Sequence, residues 1–250
     1  MRNLNSATKY PSILTYHAIL NGREHSEEKL VEFPDEPLFV SEKVDGLNCR
    51  IVIVPDMSVV SDRTGMGAFV GTREEFLWYS DDLIYNNAYG VVEHIRPFIP
   101  ELLSVGWSQD IWVIWGELYG GRIGKAKHYT HSQQMGFRVF DVAHIPYEIL
   151  KLTPHEISNW REGNNQSFIS VDELVNFTQT LKLPLVQNIC SISRDDLGSC
   201  AQNFELMQGF GESTFAGLDH TGPSEGYVVR TASRSAIAKL RFEYYRRTLM

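Results

Sequence analysis

The chain is poor in cysteine, has no long apolar run and carries no excess of positive charge. Cys49, Cys190 and Cys200 are odd in number and form no CxxC pair. That excludes a disulfide-stapled scaffold. It points to a reduced, cytoplasmic setting with the cysteines as buried small residues. The N-terminus, MRNLNSATKYPSIL, lacks the apolar core of a signal peptide. No segment approaches the roughly 20 apolar residues of a membrane helix, so a soluble protein with no membrane partner is expected. The formal net charge of -8 argues against a protein held on nucleic acid by bulk charge, but leaves room for a local basic groove. Repeats, low-complexity tracts and Pro/Gly/Ser linkers are also missing, so nothing marks a disordered segment or a domain boundary.

What is present supports a core. Hydrophobic residues make up 43% of the 250, enough for residues 1–250 to form a single domain. Apolar, β-branched runs predict strands at 38–43, 48–54, near 58–62, at 111–119, 137–143, 225–230 and 236–242. Helical spacing is read over 73–87 (Phe76, Leu77, Leu83, Ile84) and 89–104, the latter ended early or kinked by Pro97 and Pro100. Ser170 opens a capping box for a helix over 171–181, and Ser193 opens a second helix reaching about 209. Residues 21–37, with Pro34 and Pro37, read as loop or short helix. Strands and helices mix without a regular βαβ rhythm. The expected class is α+β, with antiparallel β-sheets flanked by helices.

The most informative stretch is FVSEKVDGLNCRIVIV, residues 39–54. It reads as two strands with a polar turn holding Lys43, Asp45 and Gly46. A free lysine has a pKa near ~10.4 and becomes a nucleophile only where burial or nearby cations lower it. KVDG alone reads equally well as an ordinary surface hairpin. Other segments add partners. WGELYG places Glu117 at the end of an apolar strand. FRVFDV alternates, so Phe137 and Phe140 point to opposite faces, one into the core and one presenting a ring. EGYVVR opens with Glu225, and AKLR sets Lys239 and Arg241 two apart on one strand face. His128 and His131 are three apart, with no third metal ligand placed by spacing. The basic chain end, with Arg246 and Arg247, is more often a solvated tail than a binding site.

Taken in order, KVDG, WGELYG, FRVFDV, EGYVVR and AKLR resemble motifs I, III, IIIa, IV and V of the covalent nucleotidyltransferases: ATP-dependent DNA ligases, RNA ligases and mRNA capping enzymes. Within them the chain is most similar to the RNA ligase 2 family. Glu42 precedes the lysine and Asn48 follows it, as in EKxxGxN, and Arg63 in SDRTG stands twenty residues on. The resemblance runs from about 38 to 242. It implies a nucleotidyltransferase (ATP-grasp-like) ligase adenylylation domain and an ATP-dependent RNA ligase. Such an enzyme forms a lysine–AMP intermediate, passes AMP to a 5′-phosphate and joins that end to a 3′-hydroxyl.

The resemblance also implies roles. Lys43 attacks the α-phosphorus of ATP. Lys239 and Arg241 hold the α-phosphate, although the family usually has lysine where Arg241 stands, and arginine changes the geometry. Glu225 binds Mg²⁺ (or Mn²⁺), and Asn48 binds a water of the hydrated metal. Arg63 and Glu117 contact the ribose, and Phe140 stacks on adenine with Phe137 as the core alternative. Glu42 and the Val44 backbone lie at the adenine edge. The expected partner is RNA bearing 5′-phosphate and 3′-hydroxyl ends. Only about eight residues follow motif V, so a C-terminal OB or helical domain is not expected. A protein partner replacing it is. Competing readings are a DNA ligase or capping-type enzyme on the same fold, and a non-catalytic nucleotide- or RNA-binding module.

Overall fold

The computed structural model describes residues 1–79, 88–124 and 129–250. Its elements in order are α1 (Arg2–Ala7), β1 (His17–Leu20), β2 (Glu24–Lys29), β3 (Leu38–Lys43), β4 (Leu47–Val54), β5 (Gly67–Thr72) and β6 (Phe76–Tyr79). Then come α2 (Val91–Ile95), α3 (Ile99–Leu103), β7 (Ile111–Gly120), β8 (Met135–Ile145), α4 (Pro154–Glu162), β9 (Ser167–Phe168) and α5 (Val171–Thr180). The chain continues through β10 (Asn188–Ile192), α6 (Cys200–Phe210), β11 (Gly226–Thr231), β12 (Ile237–Arg241) and α7 (Phe242–Leu249). Among the described residues no helix is long and apolar enough to cross a membrane.

The strands form an antiparallel six-stranded sheet, β6-β5-β4-β7-β8-β9, a four-stranded sheet, β10-β3-β11-β12, and the β1–β2 hairpin. This is the expected α+β class. The six-stranded sheet is covered on both faces, which explains why β4 is apolar without alternation. One face carries Ile51 and Ile53 against α2, α3 and α5; the other carries Val52, Val54 and Trp115 against α1 and α4. A third core lies between the four-stranded sheet and α6 and α7, with Tyr227, Leu240 and Tyr245 at its centre. Arg50 breaks the β4 run. It is fully buried, donates to Asn5 and lies 4.7 Å from the Phe76 ring centroid.

β3 and β4 are not a hairpin. Each pairs with a different sheet: β3 with β10 and β11, and β4 with β5 and β7. The segment from Val44 to Gly46 therefore carries the chain from one sheet to the other. A Cβ on Gly46 would land on the Leu118 carbonyl oxygen, so only glycine lets the crossing pass this close to β7. The Tyr129 hydroxyl accepts the Asp45 N–H at 3.0 Å and pins the same crossing.

Other expectations shift. The strand near 58–62 is a single 3₁₀ turn, Met57–Val59, started by Asp56, whose carboxylate accepts from Ser58. The helix expected over 73–87 begins as strand β6, whose pairing with β5 overrides the helical spacing; Leu83 and Ile84 lie outside the described residues. Residues 21–37 contain β2, held by β1 and α7. The 89–104 helix is broken into α2, a 3₁₀ turn over Arg96–Phe98 and α3, as its two prolines require. The helix from Ser193 stops after Arg194–Asp196. Gly198 intervenes, and Ser199 starts α6 with its own capping box to Gln202. The Ser170 box starts α5 as expected.

Candidate active site

A cavity opens between the two large sheets, at the place where the chain crosses. Lys43 is the last residue of β3, opposite Gly226 of β11. Gly226 has φ +150, and a Cβ there would strike the Leu240 carbonyl oxygen; the glycine thus holds the preceding Glu225 against the lysine. Lys43 Nζ lies 2.5 Å from Glu225 Oε2, and Glu225 Oε1 lies 2.9 Å from the Arg241 guanidinium. One carboxylate therefore restrains two cations.

On the opposite wall, Asn48 and Glu117 face each other across the β4–β7 pairing. Asn48 Oδ1 is buried with no hydrogen-bond partner among the described residues. Burial pushes the Glu117 carboxyl up to about 8; Lys43 opposes this, and Glu225 and Asp45 reinforce it. Lys239 enters from β12, its amine brought down to about 8 by burial and then by the Lys43 and Arg241 charges. Arg73 lines the same cavity. Lys43, Lys239 and Arg73 thus meet in one cavity of an acidic chain.

The far end of the cavity is built for a flat, partly polar group. β8 carries a bulge: Trp115 pairs with Asp141 and Gly116 with Val139, leaving Phe140 as the extra residue. A bulge re-aims its side chain, and Phe140 lines the cavity while Phe137 packs in the core against Phe98. Val186 and Ile237 add apolar wall. Glu42 is buried. Its Oε1 accepts from the Thr214 hydroxyl and from the Phe215 N–H at 3.0 Å. Its Oε2 is buried without a partner, and burial raises its carboxyl above the usual range despite those hydrogen bonds. An unfilled carboxylate acceptor in the same cavity as Phe140 suits a ligand that brings an N–H donor.

Of the residues expected from sequence, Glu42, Lys43, Val44, Asn48, Glu117, Phe140 and Lys239 line one cavity. Glu225 and Arg241 stand a step behind the wall and reach it through Lys43. Arg241 also lies 4.9 Å from the Tyr244 ring centroid and 3.8 Å from Glu243, so its guanidinium is already engaged by Glu225, Glu243 and Tyr244. Arg63 is not brought to the cavity; its guanidinium sits 5.0 Å from the Tyr79 ring centroid. His128 lies outside the described residues. Arg246 and Arg247 are paired with Glu212 and Glu243 on the surface. Cys49 and Cys200 are buried, but Cys190 is exposed, because it lies on the edge strand β10.

Sequence reading missed several residues. Tyr10, Pro11 and Ile13, from the segment after α1, close one side of the cavity. Asp141 is buried behind Phe140 and accepts from Arg230 NH1 at 3.0 Å, Arg234 Nε at 2.5 Å and the Tyr10 hydroxyl at 2.9 Å. Arg230 had a signal, its spacing of two from cavity-lining Val228 on β11; Arg73 and Tyr10 had none.

The donor set fits a hydrated divalent cation of the Mg²⁺ type. The Glu225 carboxylate and the unpaired Asn48 carbonyl oxygen are both hard oxygen donors.

Comparison with known proteins gives the following. The family model described as RNA ligase matches residues 36–242. Naegleria gruberi RNA ligase with PPi superposes with a TM-score of 0.52 at 13% identity, over 90% of this chain and 60% of that one. A mutant of the same ligase with ATP and Mn gives 0.57 at 13% identity, over 98% and 63%. An archaeal ATP-dependent RNA ligase gives 0.51 at 17% identity, over 93% and 48%. The chain thus spans about half to two thirds of these proteins, a likeness of fold. No curated protein matches it.

Proposed function

The chain belongs to the RNA ligase family, and from that premise we propose that it is an ATP-dependent RNA ligase whose nucleophile is Lys43. The observation that carries the reading is the seating of Lys43 at the sheet crossing, on Glu225 and beside the half-desolvated Lys239. In the first step the Lys43 amine attacks the α-phosphorus of ATP. A P–N bond forms, the P–O bond to pyrophosphate breaks, and Lys43 carries AMP. An oxygen of an RNA 5′-phosphate then attacks that phosphorus and releases the lysine. Finally a 3′-hydroxyl attacks the activated 5′-phosphate and AMP leaves.

Each wall has a task in this sequence. Lys239 offers charge to the α-phosphate oxygens, where phosphoryl transfer draws most of its catalysis from positioning and electrostatics. Phe140 offers a face for the adenine, and Glu42 Oε2 accepts its exocyclic amine, a contact that the carbonyl of guanine would not satisfy. Glu117, near neutrality at pH 7–8, exchanges hydrogen bonds with ribose hydroxyls. Glu225 and Asn48 would hold Mg²⁺ or Mn²⁺, which when bound supplies positive charge to the phosphates. Arg73, on the cavity wall, is better placed than Arg63 to meet the nucleotide.

The test is incubation with labelled ATP, GTP and NAD⁺ in parallel, followed by a chase with 5′-phosphorylated RNA. A covalent adduct from ATP alone, absent in Lys43→Ala and transferred to RNA in the chase, is the expected result. An adduct surviving Lys43→Ala sinks the mechanism, and an adduct from GTP alone replaces it with capping chemistry.

A further inference from the structure

Away from the cavity, a second cluster of reactive side chains is buried under the β1–β2 hairpin. His17 of β1, Glu27 of β2 and Cys200, the first residue of α6, bring an imidazole nitrogen, a carboxylate oxygen and a thiol sulfur within 4.8 Å of one another. His17 and Cys200 are fully buried, while Glu27 reaches solvent. The Tyr245 hydroxyl engages His17 Nδ1 at 3.0 Å and is itself held by Asn203 Nδ2 at 3.3 Å. That leaves Nε2 of a buried imidazole without a hydrogen-bond partner among the described residues. His25, two places before Glu27 on β2, likewise has a buried, unpartnered Nε2.

We propose that His17, Glu27 and Cys200 form a zinc site with one open position, joining the β1–β2 hairpin to the start of α6. Imidazole, thiolate and carboxylate are the ligands zinc takes, with bonds of about 2.0–2.3 Å that set ligand atoms roughly 3.4–3.7 Å apart in a tetrahedron. The ligand atoms lie within 4.8 Å of one another, a wider spread, so binding requires them to draw together. Coordination through Nε2 requires the tautomer in which Nδ1–H donates to the Tyr245 oxygen, the outer-shell arrangement that orients metal-bound histidines. Charge also balances: one thiolate and one carboxylate neutralise Zn²⁺ in a buried place. On binding, the S–H bond breaks, an S–Zn bond forms and the proton goes to solvent. The fourth position is left to water.

The chelator-stripped protein is titrated with Co²⁺ and then Zn²⁺. One Co²⁺ per chain, a thiolate-to-cobalt charge-transfer band and tetrahedral d–d bands are expected, all displaced by Zn²⁺. Cys200→Ser should lose the charge-transfer band, and Cys190→Ser should keep it. Glu27→Gln preserves a capping oxygen for the Cys200 N–H and lies at the surface, so its fold is not at risk. It should weaken Zn²⁺ binding by at least about tenfold, the loss expected even for a supporting residue. Absence of the charge-transfer band in the unmutated protein, or unchanged Zn²⁺ affinity in Glu27→Gln, overturns the proposal.

Discussion

Replacing Asp141 by alanine should destabilise the protein more than any other single change near the site. Asp141 is 1% exposed and is the shared anion of Arg230 and Arg234, both nearly as buried. Arg230 would keep only the Ile169 carbonyl, and its Nε already has no partner. Arg234 would keep Asn164, the Tyr10 hydroxyl and its seat 3.4 Å over the Phe168 ring. Two guanidinium groups would then be buried with no counter-charge. Breaking one buried pair costs about 3–5 kcal/mol, most of it the stranded charge. At about 2–4 °C per kcal/mol for a chain of this size, Tm should fall by roughly 6–20 °C. Urea unfolding followed by tryptophan fluorescence gives the free energy directly. A double-mutant cycle isolates the cause, since Asp141→Ala placed on Arg234→Met should cost less than it does alone. A loss below about 1 kcal/mol, or a coupling below the roughly 0.5 kcal/mol seen for independent sites, refutes the argument that this carboxylate holds the wall behind Phe140.

Two further outcomes follow from the cavity. Glu117 has its carboxyl raised from 4.5 to about 8, so the folded state binds the extra proton between those values. Its contribution to stability is fully present below 4.5 and is lost as pH rises through 8; urea midpoints from pH 5 to pH 8 should fall more in the unmutated protein than in Glu117→Gln, and parallel profiles would count against the shift. Glu225→Gln frees Lys43 and Arg241 together but removes the carboxylate offered to the metal. Labelled AMP incorporation should slow by about 10²–10³, whereas a rate equal to or above that of the unmutated protein would mean that Glu225 only restrains the lysine.

The fold was legible where a local rule matched its tertiary setting. Ser170 and Glu173 form the capping box that their spacing predicts, because both partners lie within one helical turn. β3, β7, β8 and β11 were readable as β-branched runs. Legibility failed where strand pairing decided the outcome. Phe76 and Leu77 fit a helical pattern, yet β5 offers them an open edge and they extend along it. Glu24 to Lys29 is too polar to read as a strand; its partner β1 and the packing of α7 make it one.

The site was legible for a different reason. Lys43, Asn48, Glu117, Phe140, Glu225 and Lys239 come from six different strands or their ends, and all sit where β3, β4, β7, β8, β11 and β12 approach the crossing between sheets. Residues on strands keep their register, so an ordered list of strand-borne residues maps to one place. Arg63 lies on no strand. It sits between the 3₁₀ turn and β5, and its position is set by loop packing against Tyr79 rather than by register. Arg73, immediately after β5, is fixed by its N–H to the Asn48 carbonyl at 3.0 Å, which delivers it to the cavity beside β4. Counting twenty residues from the lysine therefore finds Arg63 in a loop, whereas Arg73, ten residues later, is an arginine that lines the cavity. The same logic hides Tyr10: it acts from an irregular segment, and its place is dictated by Asp141 and Arg234, neither of which local sequence connects to it.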